Sequence, residues 1–189
     1  MAKVKEGHRT MIRHIIILSV LASLSVAAPA GGQQAAAPSG QPAPATGVAN
    51  IYGNALGEGW QNWSWAKTEL SVELNGSSRR PILVDPQAGW QALFLHHDPF
   101  DTTPYRGISM LLHGRSVGGQ KLKIVAISDG KPINEAGHPV TLTANGWTQV
   151  VIPLEKLGAA NRMIDGFWIQ NATPDPLPYF YAAEIKLEQ

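Results

Sequence analysis

The stretch 107–128, GISMLLHGRSVGGQKLKIVAIS, contains two alternating apolar runs that a glycine pair separates. Apolar residues occupy every second position of 108–112 and again of 122–126. A repeat of two places successive side chains on opposite faces of a β-strand, so each run has one apolar face for a core. The glycines at 118–119 predict a turn between the runs. The stretch therefore predicts two β-strands that each bury one face.

Short apolar runs of the same kind recur over the rest of the chain, without a long amphipathic helical repeat. The predicted strands are 68–74, 82–84, 90–97, 107–113, 121–128, 147–152, 164–170 and 180–188. Turn residues that tolerate positive φ lie between several of them, at 75–76, 129–130 and 145–146. One helical turn is expected at 153–158, where Gly158 would end it. This spacing predicts an all-β fold, an antiparallel β-sandwich of the jelly-roll type.

Composition excludes several classes of protein. The chain has 189 residues and no cysteine, which rules out disulfide scaffolds, thiolate metal sites and cysteine nucleophiles. The 15 basic residues nearly balance the 14 acidic ones, whereas a nucleic-acid-binding protein usually shows a basic excess. We therefore expect no nucleic acid as a partner.

The amino-terminal quarter of the chain, residues 1–47, differs in composition from the rest. Residues 1–30 begin with basic residues, continue with an apolar run of about twelve residues and end with small residues that suit a cleavage site. These are the features of a secretory signal peptide. Residues 31–47 are rich in Pro, Ala, Gly and Gln and hold no aromatic residue, which predicts a linker. The expected domain is 48–189. We predict a secreted protein, periplasmic or extracellular, with no membrane association after signal cleavage.

The segment 59–65, GWQNWSW, is the densest aromatic cluster of the sequence. A sugar ring has apolar C–H faces and a rim of hydroxyls, so proteins bind it with flat aromatic rings and fixed polar side chains. Trp63 and Trp65 have the even spacing that would place both indoles on one face. Trp60 is expected in the core instead.

Other candidate site residues come from the strand patterns. In 164–170 the apolar Phe167 and Ile169 suit the core, which leaves Trp168 and Gln170 on the outer face. The amide of Gln91 also matches sugar hydroxyls, because an amide donates and accepts hydrogen bonds. His97 has two interpretations, a packed histidine at a strand end or a donor to a sugar hydroxyl.

Catalytic chemistry is not expected. Glycoside hydrolysis needs two carboxylates about 5–10 Å apart in a cleft. The candidate aspartates lie beside Pro or Gly or in turn-like contexts, where Asp commonly binds its own backbone. These residues are Asp85, Asp98, Asp101 and Asp165. No catalytic site is therefore predicted.

The domain resembles a family of secreted bacterial carbohydrate-binding modules with a galactose-binding-like jelly-roll fold. The resemblance lies in the order and spacing of IY (51–52), GWQNWSW (59–65), WQALFLHH (90–97), LHG (112–114), GGQKL (118–122), WTQVVIPL (147–154), IDGFWIQ (164–170) and FYAAEIKL (180–187). It implies a non-catalytic module that holds an enzyme or a cell near a polysaccharide.

The resemblance also implies a structural calcium ion between the chain ends, bound by acidic residues. Here Glu184 follows an alanine where relatives show a pair of aspartates, and Asn54 stands near the place of an acid. Hard oxygen ligands would come from Asn54, Glu184 and backbone carbonyls. Because one expected carboxylate is missing, we predict no required cofactor.

The leading hypothesis is a monomeric, non-catalytic module that binds a polysaccharide or oligosaccharide through Trp63, Trp65, Trp168, Gln91, Gln170 and His97. Two alternatives stay open. One is a small secreted hydrolase or lyase that acts on glycans, and the other is a cell-envelope adhesion domain that binds protein.

Overall fold

A computed structural model describes residues 47–189, and the predicted signal peptide and nearly all of the predicted linker lie outside them. The described residues form twelve β-strands and one 3-10 helix. The strands are β1 (Asn50–Tyr52), β2 (Gln61–Asn62), β3 (Lys67–Glu69), β4 (Ile82–Asp85), β5 (Ala92–Asp101), β6 (Gly107–His113), β7 (Lys121–Ser128), β8 (Lys131–Pro132), β9 (His138–Thr141), β10 (Trp147–Pro153), β11 (Met163–Asn171) and β12 (Phe180–Glu188). The 3-10 helix is Leu154–Leu157.

The strands build two antiparallel sheets. The first sheet has the order β10-β6-β12-β4-β3, and β1 also pairs with β12. The second sheet has the order β2-β5-β11-β7-β8, and β9 also pairs with β7. The predicted all-β sandwich of jelly-roll type is confirmed.

The main core is formed by the inner faces of both sheets, as the alternation predicted. Ile108, Met110 and Leu112 of the first sheet are at most 1% exposed, and Leu122 and Ile124 of the second sheet belong to the same buried cluster. Burial of this apolar surface supplies the main driving force for folding.

The buried Trp60 closes part of the core, as expected. Its indole is 4% exposed, and its Nε1 donates a hydrogen bond to the carbonyl oxygen of Val48 at 3.1 Å. A buried indole N–H needs such a partner, because leaving it unpaired costs free energy.

Some strand boundaries differ from the predictions for local reasons. The strand predicted at 68–74 ends at Glu69, because Ser71 adopts φ 58°. The strand predicted at 90–97 begins only at Ala92, because Trp90 adopts φ 63°. The helical turn before Gly158 is confirmed, with φ 68° at this glycine. The two- to four-residue strands β1, β2, β8 and β9 were not predicted.

Within 47–189, no helix has the length and apolar character to cross a membrane.

Candidate functional site

The outer face of the second sheet carries its own small apolar cluster, separate from the main core. Because side chains alternate, β5 sends Leu93 and Leu95 inward and leaves Phe94 on the outside. Trp168 of β11 lies opposite Phe94 in the strand register and packs against the same outer cluster. Trp168 is therefore outward-facing, as the alternation of β11 predicted.

The tryptophan-rich segment runs along the edge of this sheet. Beyond β2, the backbone N–H of Trp63 donates to the carbonyl of Phe94 at 2.9 Å, and that of Trp65 donates to the carbonyl of Ala92 at 3.2 Å. These bonds continue the pairing with β5 and place the two indoles on the same side of the sheet. Trp63 is 53% exposed and Trp65 is 42% exposed.

Phe94 is the central ring of the outer face. Its ring centroid lies 6.0 Å from Trp63, 6.5 Å from Trp65, 5.9 Å from Trp168 and 5.6 Å from His96. All four contacts are edge-to-face, an arrangement that aromatic rings prefer. These contacts with Phe94 therefore help to orient the surrounding rings.

Trp63 rests flat on a second ring. It stacks on His96 with centroids 3.5 Å apart and an interplanar angle of 4°. Its Nε1 donates to Oε1 of Gln61 at 2.8 Å. One side of the indole is thus supported by the imidazole, and the exposed side remains available to a ligand.

Trp90 adds a third exposed indole, and its backbone is strained. It is 50% exposed and has φ 63°, a left-handed conformation that costs about 1–2 kcal/mol for a residue with a Cβ. Its N–H donates to the carbonyl of Thr173, and its own carbonyl accepts from Trp65 Nε1 at 3.0 Å and from Gln170 Nε2 at 2.7 Å. Such strain persists where the surroundings hold it in place, often at binding sites.

A groove of about 350 Å³ continues the outer face beside Trp90 and Trp168. Its lining consists of Trp90, Lys123, Val125, Pro132, Glu135, Trp168 and Gln170. Trp168 lines this groove, and its Nε1 is buried without a hydrogen-bond partner among the described residues. We call the exposed rings and this groove the aromatic face: Trp63, Trp65, Trp90, Phe94, His96 and Trp168.

The structure brings four of the predicted site residues together on the aromatic face. Trp63, Trp65 and Trp168 contribute rings, and Gln170 lies in the groove with its amide bonded to the carbonyl of Trp90. Gln91 serves the adjacent loop, because its Oε1 accepts a hydrogen bond from the N–H of Ala88 at 3.2 Å.

His97 lies away from these rings. It packs against Trp60 at 5.2 Å and Phe100 at 5.5 Å, and its Nδ1 lies 2.6 Å from the carbonyl of Asp98. This is the packed histidine of the two interpretations given above. Its neighbour His96 points to the aromatic face instead.

Three residues of the aromatic face were not predicted, namely Trp90, Phe94 and His96. Both faces of the run at 90–97 are apolar, so alternation within that strand did not distinguish them. The register supplies the missing signal, because Phe94 faces Trp168 across the β5–β11 pair.

The residues considered for calcium do not fit that ion. Asn54 already uses its side chain to bind the connection between β3 and β4, where Oδ1 accepts from the N–H of Arg80 and Nδ2 donates to the carbonyl of Ser78. Glu184 forms an ion pair with Arg79 at 2.7 Å. Residues 47–189 contain no group of three or more His, Asp or Glu side chains placed to hold a metal ion.

Two of the four aspartates named above serve local structure. Asp101 accepts hydrogen bonds from the backbone N–H and the hydroxyl of Thr103, which hold the pKa of its carboxyl below the usual range. Asp165 is 5% exposed, and its Oδ2 accepts from the N–H of Gly130 at 2.7 Å. Both interactions are typical of aspartates that stabilise turns.

Comparison with known proteins finds a similar fold in solved carbohydrate-binding modules. The structure is similar to a variant of a family 29 carbohydrate-binding module complexed with cellohexaose (TM-score 0.52, 13% identity, 72% of this chain and 86% of that one). It is also similar to a family 11 module from Clostridium thermocellum in complex with a β-1,3-1,4-mixed-linked tetrasaccharide (TM-score 0.51, 18% identity, 69% and 89%). These likenesses confirm the predicted fold.

In sequence, the chain is 28% identical over 146 residues to an endoglucanase of Dictyostelium discoideum. The match covers 72% of this chain and only 20% of the endoglucanase. No protein-family model matches the chain.

Proposed function

We propose that this domain is a non-catalytic module that binds a β-linked glucan chain along the aromatic face. The observation that carries the proposal is the set of three indoles, Trp63, Trp65 and Trp90, which keep 42–53% of their surface exposed on a fixed support. Exposed large aromatic rings in one patch mark an interaction surface, because isolated ones are common but clustered ones are not.

The chemistry of the aromatic face suits a neutral glycan. Indole rings would stack on the C–H faces of successive sugar units, and Gln170 in the groove carries an amide that suits sugar hydroxyls. Removing about 50 Å² of apolar surface from water at each indole is worth about 1 kcal/mol. Stacking contacts of this size together with a few hydrogen bonds to sugar hydroxyls would give weak affinity, with Kd values of roughly 1 μM to 1 mM.

The comparisons support the choice of ligand. The two solved modules with a similar fold bind cellohexaose and a mixed-linked β-glucan tetrasaccharide. The similar segment of the endoglucanase is a fifth of that enzyme, as an accessory module would be. We also propose that the domain itself has no hydrolase activity. We propose further that it acts outside the cytoplasm, as the sequence of residues 1–30 indicates.

The experiment is a calorimetric titration of the domain with cellohexaose and with a mixed-linked β-glucan tetrasaccharide. We expect binding by the wild type and about tenfold weaker binding after Trp65→Ala, because one stacked indole is lost. Trp63→Ala should weaken binding to a similar degree, since its exposed side is the ligand side.

Trp147→Ala is the matched control, because this tryptophan lies on the outer face of the other sheet. It should leave glucan binding unchanged, and thermal melts should show that all variants are folded. Equal binding by wild type and both aromatic-face variants would reject the site. Release of reducing sugars by the purified domain would favour a glycan-active enzyme instead.

A further inference from the structure

A second row of aromatic side chains crosses the outer face of the first sheet. Trp147 of β10 pairs with His113 of β6, and His113 pairs with Tyr181 of β12. The rings touch in the same order, with centroids 5.1 Å apart for His113 and Trp147 and 6.4 Å apart for His113 and Tyr181. Tyr179 extends the row beyond Tyr181 at 6.3 Å. The proposed glucan site does not use these residues.

Arg115 lies over the end of this row and lacks a carboxylate partner. Its guanidinium carbon is 4.6 Å from the ring of Tyr179 and 5.1 Å from that of Tyr181. Its Nη1 donates to the hydroxyl of Tyr181 at 2.8 Å, and its Nη2 donates to that of Tyr179. The ion pairs within 47–189 involve Arg79, Arg80 and Lys186, so the charge of Arg115 is not neutralised.

An open pocket of about 310 Å³ lies next to this cation. Its lining consists of His113, Arg115, Ser116 and Asn145. Both Arg115 (φ 60°) and Asn145 (φ 59°) have left-handed backbones, and the N–H of Asn145 donates to the carbonyl of Arg115 at 2.6 Å. Arg115 is the strained residue of the two, because asparagine tolerates positive φ, and the hydrogen bond from Asn145 holds its backbone in place at the pocket.

His113 presents a neutral donor to the same pocket. Its Nδ1 accepts a hydrogen bond from the N–H of Arg115 at 2.9 Å, which leaves the proton on Nε2. Burial and the positive charge of Arg115 lower the pKa of the imidazole. The pocket thus offers one fixed cation with neutral hydrogen-bonding groups around it, namely an imidazole, an amide and a hydroxyl.

We propose that this pocket binds the carboxylate of a hexuronate unit in an acidic oligosaccharide, independently of the aromatic face. The tyrosine hydroxyls use only two of the guanidinium N–H groups, and a planar carboxylate matches those that remain. The neighbouring Asn145, Ser116 and His113 supply partners for sugar hydroxyls, which a bare anion would not need. The exposed Tyr179 offers a ring edge beside the pocket.

The test is a titration with a hexuronate tetrasaccharide and with its carboxyl-reduced, neutral counterpart, followed by NMR and calorimetry. We expect the acidic form to bind about tenfold more tightly, because a charge-assisted hydrogen bond is lost on reduction. Asn145→Asp keeps a residue that tolerates positive φ and adds a negative charge, so it should abolish the preference for the acidic form. Asn145→Gly is its matched control without the charge.

Several outcomes would overturn the proposal. Equal affinity for the acidic and reduced forms, or an unchanged preference in folded Asn145→Asp, would reject the pocket as a uronate site. Acetate competing as well as the oligosaccharide would show a simple anion site rather than a sugar site. Trp65→Ala should leave uronate binding intact, so failure of the glucan proposal and failure of this one are separate results.

Discussion

The two outer faces of the sandwich are each organised around one central ring, and the rings differ in chemistry. On the second sheet the centre is Phe94, which contacts four aromatic rings and no charge. On the first sheet the centre is His113, and arginines cover its neighbours, with Arg79 lying 4.7 Å from the ring of Trp147. Around the apolar centre, Trp63 and Trp65 keep exposed faces for a neutral ligand, and Lys123 lies 5.8 Å from the ring of Trp90. Around the polar centre, Arg79 and Arg115 lie over the rings on both sides of His113.

We expect the largest effect on stability and glucan affinity from Phe94→Ala, which removes the central ring of the second sheet. Phe94 is 8% exposed, and truncating a buried Phe typically costs 3–5 kcal/mol of the free energy of unfolding. The surrounding indoles would lose their support, so glucan affinity should fall as well. Urea denaturation and calorimetry measure both effects.

Phe94→Leu is the control, because it keeps most of the apolar volume and removes only the ring. We expect a smaller loss of stability but a clear loss of glucan affinity. Unchanged affinity in both variants would show that the orientation of the indoles does not depend on Phe94.

We expect an intermediate effect at Trp90, where two substitutions distinguish the cost of the left-handed backbone from the loss of the indole. Trp90→Gly should be about 1 kcal/mol more stable than Trp90→Ala, because glycine adopts positive φ without the cost of a Cβ. Both variants should lose glucan affinity equally, since both lack the indole. Thermal melts and titrations of the pair would show this, and equal stability would indicate that the loop relaxes.

The smallest effect concerns pH and belongs to the first sheet. The folded pKa of His113 lies below its ordinary value of 6.5, so the unfolded chain binds this proton more readily. The free energy of unfolding should therefore decrease as the pH falls through 6.5 towards the folded pKa, and the loss should be complete below it.

His113→Asn removes this contribution and keeps an acceptor for the N–H of Arg115. The difference in stability between pH 8 and pH 5 should be smaller in the variant, as measured by urea denaturation. Glucan binding should not change over the same range. An identical pH dependence in both proteins would contradict the assignment to His113.

The fold was predictable where strands are long and one face is apolar. The boundaries of β6, β7 and β12 match the sequence pattern, since alternation and flanking turn residues define them together. The strands β1, β2, β8 and β9 have two to four residues, too few for a repeat to show. Their pairing is decided by the neighbouring strand rather than by their own sequence.

The site was predictable only in part for a similar reason. The spacing of Trp63 and Trp65 and the alternation around Trp168 placed these rings without any structure. Trp90 could not be placed, because its exposure depends on a left-handed backbone. Its N–H donates to the carbonyl of Thr173, and its carbonyl accepts from Trp65 and Gln170. His96 could not be placed on the outer face either, since adjacent residues of a strand face opposite sides and the pattern did not say which side was outside.

The pairing of β1 with β12 has a mechanical consequence. Asn50 lies beside Lys186, and the N–H of Leu187 donates to the carbonyl of Ala49 at 2.8 Å, so the two ends of the domain leave from adjacent points of one sheet. A force that pulls these ends apart would break the hydrogen bonds between β1 and β12 one after another, starting at the chain ends. The domain should therefore unfold at low force when its two ends are pulled in opposite directions.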